Sequence, residues 1–439
     1  MKRERNEVYA ELLGRMISVE TVSLKGSCDR KKFYSFHSLM QETFPNVFAI
    51  GEVEDFDGSL LIKIRGSGDG APIMLMNHHD VVEASGDWSH PPFASNISEG
   101  RIWGRGVLDT KGGLFCMLKA MDELLSEGYT PTRDTYFLSS CTEETDGSGA
   151  KAIADTLKGR GVRFSLILDE GGMIVDEPVD GAKGYYAMIG VGEKGICDLK
   201  FIAGSRGGHA STPGKDTPLV RLGKFMAEID RGRLFEARFS PTVRETYKRI
   251  GKGMKGVMRL LLTNTGLLSP LLKKFMPSFS SSAAAMLKTT IAFTMAGGSR
   301  GANVLPEEAY VVGNMRYSHH QGGEDSIREI RTLAEKYDIK TEIIRHGVDS
   351  PLTDYSGDGF KLMERGIEEI FPSVTAVPYI MNAASDSRFM GDLSDNCIRF
   401  APFMIDRSQL DSIHGVDENM CVSSLSPAVD FYRFVIKNA

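Results

Sequence analysis

Three stretches of the sequence decide the fold: IMLMNHHD (residues 73–80), YFLSSCTEE (residues 136–144) and FSLILDE (residues 164–170). Each opens with an apolar run that predicts a buried β-strand, and each closes with histidines or carboxylates. Charged residues often follow strands as solvated loop starts, so one such stretch is weak evidence. Because the carboxyl ends of strands in an open α/β sheet meet at one edge, the three together predict a metal site there.

The elements around these stretches predict an α/β domain that a smaller domain interrupts. Between residues 59 and 170, strands alternate with helical periods at 113–125 and 149–157, which is typical of a sheet covered by helices. From about residue 195 the order becomes β-α-β-β-α-β, that of a ferredoxin-like unit. Its predicted strands are 198–203, 289–295, 309–316 and 340–345, and its predicted helices are 218–229 and 326–337. We therefore expect one domain of residues 1–193 and 351–439, and an inserted α+β domain of residues 194–350.

A long insert at about residues 233–287 lies inside the ferredoxin-like unit. It is rich in lysine and arginine and carries leucines in helical runs. We interpret it as a helical hairpin packed on its own small core. This reading is favoured over a membrane segment because Arg259, Lys273 and Lys274 interrupt the most apolar stretch.

Composition excludes several classes of protein. The 439 residues are 41% hydrophobic and 25% charged, with a formal net charge of −6, which is ordinary for a soluble globular protein and predicts no attraction to nucleic acid or membrane. Six cysteines are present without a CxxC pair, which argues against a dense disulfide framework and a ribbon-type zinc site. No apolar leader follows the charged N-terminus, so we expect a cytoplasmic location.

The residue types at the strand ends suit metal-assisted hydrolysis. His78 and Asp80 point to the same side of an extended segment, so the Asp80 carboxylate can orient the imidazole for metal binding. One of Glu143 and Glu144 can bind metal while the other takes a proton from water. Asp109 lies in the glycine-dense turn GRGVLDTKGG (residues 104–113), whose spacing does not match a phosphate-binding loop.

The chain resembles the co-catalytic zinc aminoacylase and carboxypeptidase family, and most closely its carboxypeptidase S branch. The motifs that carry the resemblance are HHDVV (78–82), WSHPPF (88–93), IWGRGVLDTKG (102–112), EE (143–144), DEGG (169–172), GGHAS (207–211), NVLP (303–306), SDSR (385–388) and IHG (413–415). They span almost the whole chain. The resemblance implies a mixed-sheet zinc-peptidase domain interrupted by a ferredoxin-like lid that forms a homodimer.

The family pattern also implies a role for each matching residue. It implies two zinc ions per subunit, with cobalt or manganese as alternatives, bound by His78, Asp109, Glu144, Glu170 and His414. His78 and Glu170 would hold one ion, Glu144 and His414 the other, and Asp109 would bridge them. It further implies Glu143 as general base, Asp80 as the residue that orients His78, His209 as a donor to the partner subunit's site, and Asn303, Ser387 and Arg388 as substrate-binding residues.

The resemblance implies hydrolysis of an amide bond next to a free carboxylate. The substrates would be short peptides or N-acyl amino acids. An aminoacylase or dipeptidase on the same scaffold is the alternative, and a catalytically silent binding homologue is a second one. The sequence departs from the family at Glu83, where a proline is usual, and at Ala383 and Ala384. Because these positions line the expected substrate region, the metal chemistry is better specified than the substrate.

Overall fold

The computed structural model describes residues 2–26, 29–279 and 281–439. Its strands are β1 Glu52–Phe56, β2 Ser59–Ile64, β3 Ile73–His78, β4 Asn96–Ser98, β5 Arg101–Trp103, β6 Thr135–Ser140, β7 Leu166–Asp176, β8 Tyr185–Glu193, β9 Gly195–Gly204, β10 Gly208–His209, β11 Thr290–Gly297, β12 Val304–Leu305, β13 Glu308–Tyr317, β14 Lys340–His346, β15 Val374–Met381, β16 Cys397–Ile405 and β17 Asn419–Cys421. Its α-helices are α1 Lys2–Ile17, α2 Lys31–Thr43, α3 Pro45–Ile50, α4 Lys111–Ser126, α5 Ser148–Gly159, α6 Pro218–Asp230, α7 Pro241–Lys252, α8 Gly256–Thr263, α9 Thr265–Phe279, α10 Ser281–Leu287, α11 Gly323–Glu335, α12 Asp358–Ile370, α13 Arg407–Ser412 and α14 Leu425–Asn438.

A mixed eight-stranded sheet forms the larger domain, in the order β1-β2-β6-β3-β7-β16-β8-β15. Its central strands β6, β3, β7 and β16 run parallel, so their carboxyl ends share one edge. Side chains of β3 alternate between two cores: Ile73 and Leu75 pack with α4 and α14, while Met74 and Met76 pack with α5. Both faces of the sheet are therefore covered, as the alternation of strands and helices predicts.

The inserted domain is a four-stranded antiparallel sheet in the order β11-β13-β9-β14. Helices α6 and α11 pack on one face around a core that includes Phe201, Phe225 and Ile330. This strand order and helix placement are those of a ferredoxin-like unit, so the predicted fold class is confirmed.

Strand β7 is longer than the sequence predicts. An apolar run ending at Leu168 predicts a strand end there, but β7 continues through Asp169 and Glu170 to Asp176. Its pairing with β16 is irregular at this point, because Asp169 pairs with Arg399 and Gly172 with Phe400, which leaves two residues in a bulge. Charge at the bulge made a continuing strand look like a loop.

The prediction that the helical insert packs on its own core is wrong. Val243, Tyr247 and Ile250 of α7 belong to the core of the larger domain. Thr246 Oγ1 donates to the carbonyl of Pro378 in β15 at 2.6 Å, and Arg249 Nη1 donates to that of Ala376 at 2.9 Å. The insert covers β15 because that edge strand offers backbone acceptors and an apolar face. Among the described residues, no helix combines the length and apolarity needed to cross a membrane.

Candidate metal centre

The predicted ligands meet at the edge where the parallel strands end. His78 is the last residue of β3, Glu144 follows β6, and Glu170 lies in the bulge of β7. Asp109 comes from the turn before α4, and its peptide bond to Thr110 is cis. His414 follows α13 and has a left-handed backbone with φ of 61°, a conformation that is uncommon for a non-glycine residue.

Asp109 lies between two imidazoles and faces each with a different oxygen. Its Oδ1 is 3.0 Å from His78 Nε2, and its Oδ2 is 3.0 Å from His414 Nε2. Glu144 Oε1 lies 3.2 Å from His414 Nε2. His78, Asp109 and Glu144 each offer a ligand atom, and these atoms lie within 4.8 Å of one another. A carboxylate placed this way can bridge two cations.

The site carries more buried carboxylate than its own cations balance. Burial raises the pKa values of Glu143 and Glu170 well above the ordinary value, and neighbouring carboxylates raise them further. The pKa of Glu144 is also raised, by burial and by the neighbouring Asp109 carboxylate. Burial opposes the charged form of His78, but Asp109 and Asp80 outweigh it and raise its pKa well above the ordinary value. Glu170 Oε2 is buried with no hydrogen-bond partner within the described chain. These residues fit two divalent cations, which would satisfy the orphaned oxygen and the excess negative charge.

The Asp80 carboxylate has a wider role than orienting His78. His78 Nδ1 lies 2.9 Å from the backbone oxygen of Asp80 and 3.4 Å from its Oδ1, so the carbonyl is the nearer partner. The carboxylate accepts the backbone N–H of Glu143 at 3.2 Å and that of Glu144 at 3.1 Å. Ser23 Oγ donates to it at 2.6 Å. One buried residue thus holds the β3 ligand through its backbone carbonyl and the paired glutamates through its carboxylate. His79 instead stacks on Phe36 on the opposite face.

Glu418 is a buried residue of the site that sequence reasoning missed. Its Oε1 accepts the backbone N–H groups of Leu108 and Asp109 at 2.9 and 3.2 Å. Its Oε2 accepts Arg105 Nη1 at 2.7 Å and the N–H of Gly106 at 3.0 Å. Glu418 therefore holds the turn that presents Asp109. Arg105 in the glycine-dense turn was only a weak signal, because an arginine needs a carboxylate partner only where it is buried.

The paired glutamates have different surroundings. Glu144 contacts His414, whereas Glu143 Oε1 lies 3.3 Å from Arg388 Nη1. Arg388 also donates to the backbone oxygen of Ser385 at 2.7 Å, which fixes its guanidinium beside Glu143. The backbone N–H of Ser387 donates to Asp169 Oδ2 at 2.8 Å, so this segment is tied to the bulge strand β7.

The two predicted lid residues lie away from these contacts. His209 is exposed on β10, and its Nδ1 lies 2.8 Å from Ser211 Oγ. Asn303 is also exposed, and its carbonyl accepts the backbone N–H of Ala210 at 2.9 Å. In the described part of the chain, their contacts are within the lid.

An apolar cavity of about 810 Å³ is lined by the sequence neighbours of two predicted ligands, although the ligands themselves do not line it. Gly171, next to Glu170, and Ile413, next to His414, both line it. The remaining apolar lining comes from the larger domain and from the insert: Met173, Val175, Pro178, Met188, Met286, Tyr379, Ile380 and Leu410. The charged lining residues Asp176, Glu177, Asp180, Asp406 and Arg407 are exposed. The cavity is thus lined largely by apolar side chains, with charged side chains that reach solvent.

A mixed sheet that presents two histidines and three carboxylates at one edge, beside a ferredoxin-like domain, defines a metal-dependent hydrolase. The family model described as peptidase family M20/M25/M40 matches residues 74–438. The chain belongs to this family, which confirms the resemblance read from its motifs.

Individual relatives cover almost the whole chain. It is 30% identical to probable carboxypeptidase S-like 2 of Dictyostelium discoideum over 98% of this chain and 84% of that protein. It is 31% identical to N-fatty-acyl-amino acid synthase/hydrolase PM20D1.1 of Danio rerio over 96% of this chain and 84% of that protein. The M20 family metallo-carboxypeptidase Sso-CP2 of Sulfolobus solfataricus shares the fold, with a TM-score of 0.71, 16% identity and 97% coverage of both chains.

Proposed function

We propose that this protein hydrolyses the amide bond next to the free carboxylate of an N-acyl amino acid or short peptide and releases the C-terminal amino acid. The observation that carries the proposal is the separation of the paired glutamates, with Glu144 among the ligands and Glu143 beside Arg388. Glu144 can thus bind the cations while Glu143 remains available for proton transfer.

The proposed cofactor is a pair of zinc ions, with cobalt or manganese as alternatives because a histidine and carboxylate set accepts all three. When bound, the ions would polarise the scissile carbonyl and lower the pKa of the attacking water. His78 and Glu170 would hold one ion, Glu144 and His414 the other, and Asp109 both. The separate contacts of the two Asp109 oxygens support its bridging role.

Glu143 is the proposed general base and acid. Burial raises its pKa, so the carboxyl group readily keeps a proton once it has taken one from water. It can then pass that proton to the leaving nitrogen. The guanidinium of Arg388, 3.3 Å from Glu143, would bind the substrate carboxylate. In the proposed dimer, Asn303 would also bind that carboxylate. His209 of the partner subunit would donate a hydrogen bond to the developing oxyanion.

The apolar cavity favours N-acyl amino acids with aliphatic acyl groups over polar peptides. Its inner lining offers methionine, valine and isoleucine side chains beside two ligand segments. Two relatives named above support the two substrate classes, since one is named a probable carboxypeptidase S-like protein and the other an N-fatty-acyl-amino acid synthase/hydrolase.

A matched substrate panel tests the proposal. N-acyl amino acids and dipeptides are assayed beside their C-terminal amides, with zinc-loaded and chelated protein. We expect activity to require metal, and kcat/KM to fall by about 10²-fold or more for the amides, since a buried charge-assisted pair with Arg388 is lost. Arg388→Met should remove this discrimination. Equal rates on acids and amides would contradict the proposal.

A further inference from the structure

We propose that helices α8 and α9 of the insert form a docking surface for an anionic lipid membrane. The surface, called here the insert patch, consists of large exposed apolar side chains with exposed cations between and beside them in the sequence. The apolar members are Val257, Met258, Leu260, Leu267, Leu271 and Phe275, each 49 to 83% exposed. The exposed cations are Lys252, Lys255, Arg259 and Lys274.

Helix α9 has one continuous apolar arc around about half of its circumference, and only part of this arc is covered. Leu272 is buried, and Leu268 and Met276 pack against the core of the larger domain. Leu267 and Leu271, spaced four residues apart, are 83% and 51% exposed on the outward side. Large contiguous apolar surfaces on soluble proteins usually mark contact sites, so the uncovered part of the arc is a candidate for an apolar partner.

The charge of the segment indicates which partner. Residues 246–287 contain seven lysines and arginines and no aspartate or glutamate, although the whole chain has a net charge of −6. Helices that combine basic residues with exposed large apolar side chains bind the interface of anionic membranes. A second copy of this chain is disfavoured, because a symmetric contact through the patch would place the same cations opposite each other.

The patch lies on the segment that also forms part of the apolar cavity. Helix α10 packs on α9 and contributes Met286 to the cavity wall. A membrane contact through α8 and α9 would therefore bring the cavity close to a lipid surface. The docking proposal does not depend on the proposed reaction, because lipid binding is measured without turnover.

Vesicle flotation of the full-length protein tests the proposal. The probes are phosphatidylcholine vesicles with and without about one-third phosphatidylserine. We expect the protein to float with the anionic vesicles. Leu267→Ser, Leu271→Ser and Phe275→Ser combined should weaken partitioning by about 10²-fold or more, since each side chain loses apolar burial. The matched control combines Ile50→Ser and Leu219→Ser, apolar residues 58% and 52% exposed elsewhere, and should bind as the wild type does.

A charge variant separates the two contributions. Lys255→Gln, Arg259→Gln and Lys274→Gln combined should lower binding to anionic vesicles by about 10²-fold, at roughly fivefold per cation, with little change on neutral vesicles. The proposal is overturned if the wild-type protein floats with neither the neutral nor the anionic vesicles. An apolar variant that floats like the wild type also overturns it. A wild-type dimer that the apolar variant dissociates, without vesicle binding, would show that the patch joins two copies instead.

Discussion

Asp80→Asn should lower both metal affinity and activity, although Asp80 is not a ligand. The carboxylate accepts two backbone N–H groups, from Glu143 and Glu144, and one hydroxyl, from Ser23, in a fully buried position. An asparagine of the same shape keeps one oxygen, so one of the two N–H groups would face an amide NH₂. An unsatisfied buried donor costs about 1–3 kcal/mol, a factor of roughly 5 to 150.

We therefore expect Asp80→Asn to weaken metal binding by about 10–100-fold, the usual effect of losing a partner behind a ligand. At saturating zinc, kcat should stay below the wild-type value, because the backbone of the general base is also displaced. Competition with a chromophoric chelator measures the affinity, and circular dichroism checks the fold. Ser23→Ala is the control, since it removes one contact to the same carboxylate and leaves both N–H groups bound. If Asp80→Asn matches Ser23→Ala in affinity and in kcat, the carboxylate does not hold the glutamates as described.

Four further predictions follow from the site and the domain junction. Glu143→Ala should keep both metals and lose about 10²- to 10⁴-fold in kcat, and metal analysis showing one ion fewer would make Glu143 a ligand. Asp109→Asn should weaken both metal sites together in a zinc titration, whereas one site of native affinity would rule out the bridge. His209→Ala should lose about 10²- to 10³-fold in kcat with normal metal content, and mixing it with Glu143→Ala protein should restore activity unless the donor acts within its own chain. Burial lowers the pKa of Lys194 to about 7 from 10.5, so the unfolded chain binds this proton more tightly and stability should rise with pH between those values. Urea unfolding measures the free energy of unfolding at each pH. Its rise with pH should be up to about 1.4 kcal/mol per pH unit steeper for the wild type than for Lys194→Met, and equal slopes would exclude the effect.

The parts of the site that the sequence predicts are those set by strand ends. His78 and Glu144 lie at or just after the ends of adjacent parallel strands, so apolar runs followed by ligands were enough to bring them together. Periodicity could not place His414, because the whole inserted domain separates it from the other ligands, and only the family resemblance did so. The bulge of β7 was also hidden, since a strand that carries Asp169 and Glu170 through a metal site reads as a strand followed by a loop.

The packing of the insert was missed for a different physical reason. Leucines in helical runs show that a helix has an apolar face, but not which surface covers it. Residues such as Tyr247 could have packed on other insert helices, and the open edge strand β15 decided the outcome by offering backbone acceptors. Edge strands can be identified only once the strand order is known, and that order is not a local property of sequence.

The network around Glu418 explains how one site can use ligands from both sides of an inserted domain. Arg105 and the turn up to Asp109 come before the insertion, and Glu418 comes after it, only four residues beyond His414. Their hydrogen bonds join the returning chain to the Asp109 turn without help from a metal. These protein contacts help to hold the ligand segments together, which lowers the ordering that cation binding would require. In this arrangement protein contacts beside Asp109 bring the chain after the insertion back to the metal-binding edge.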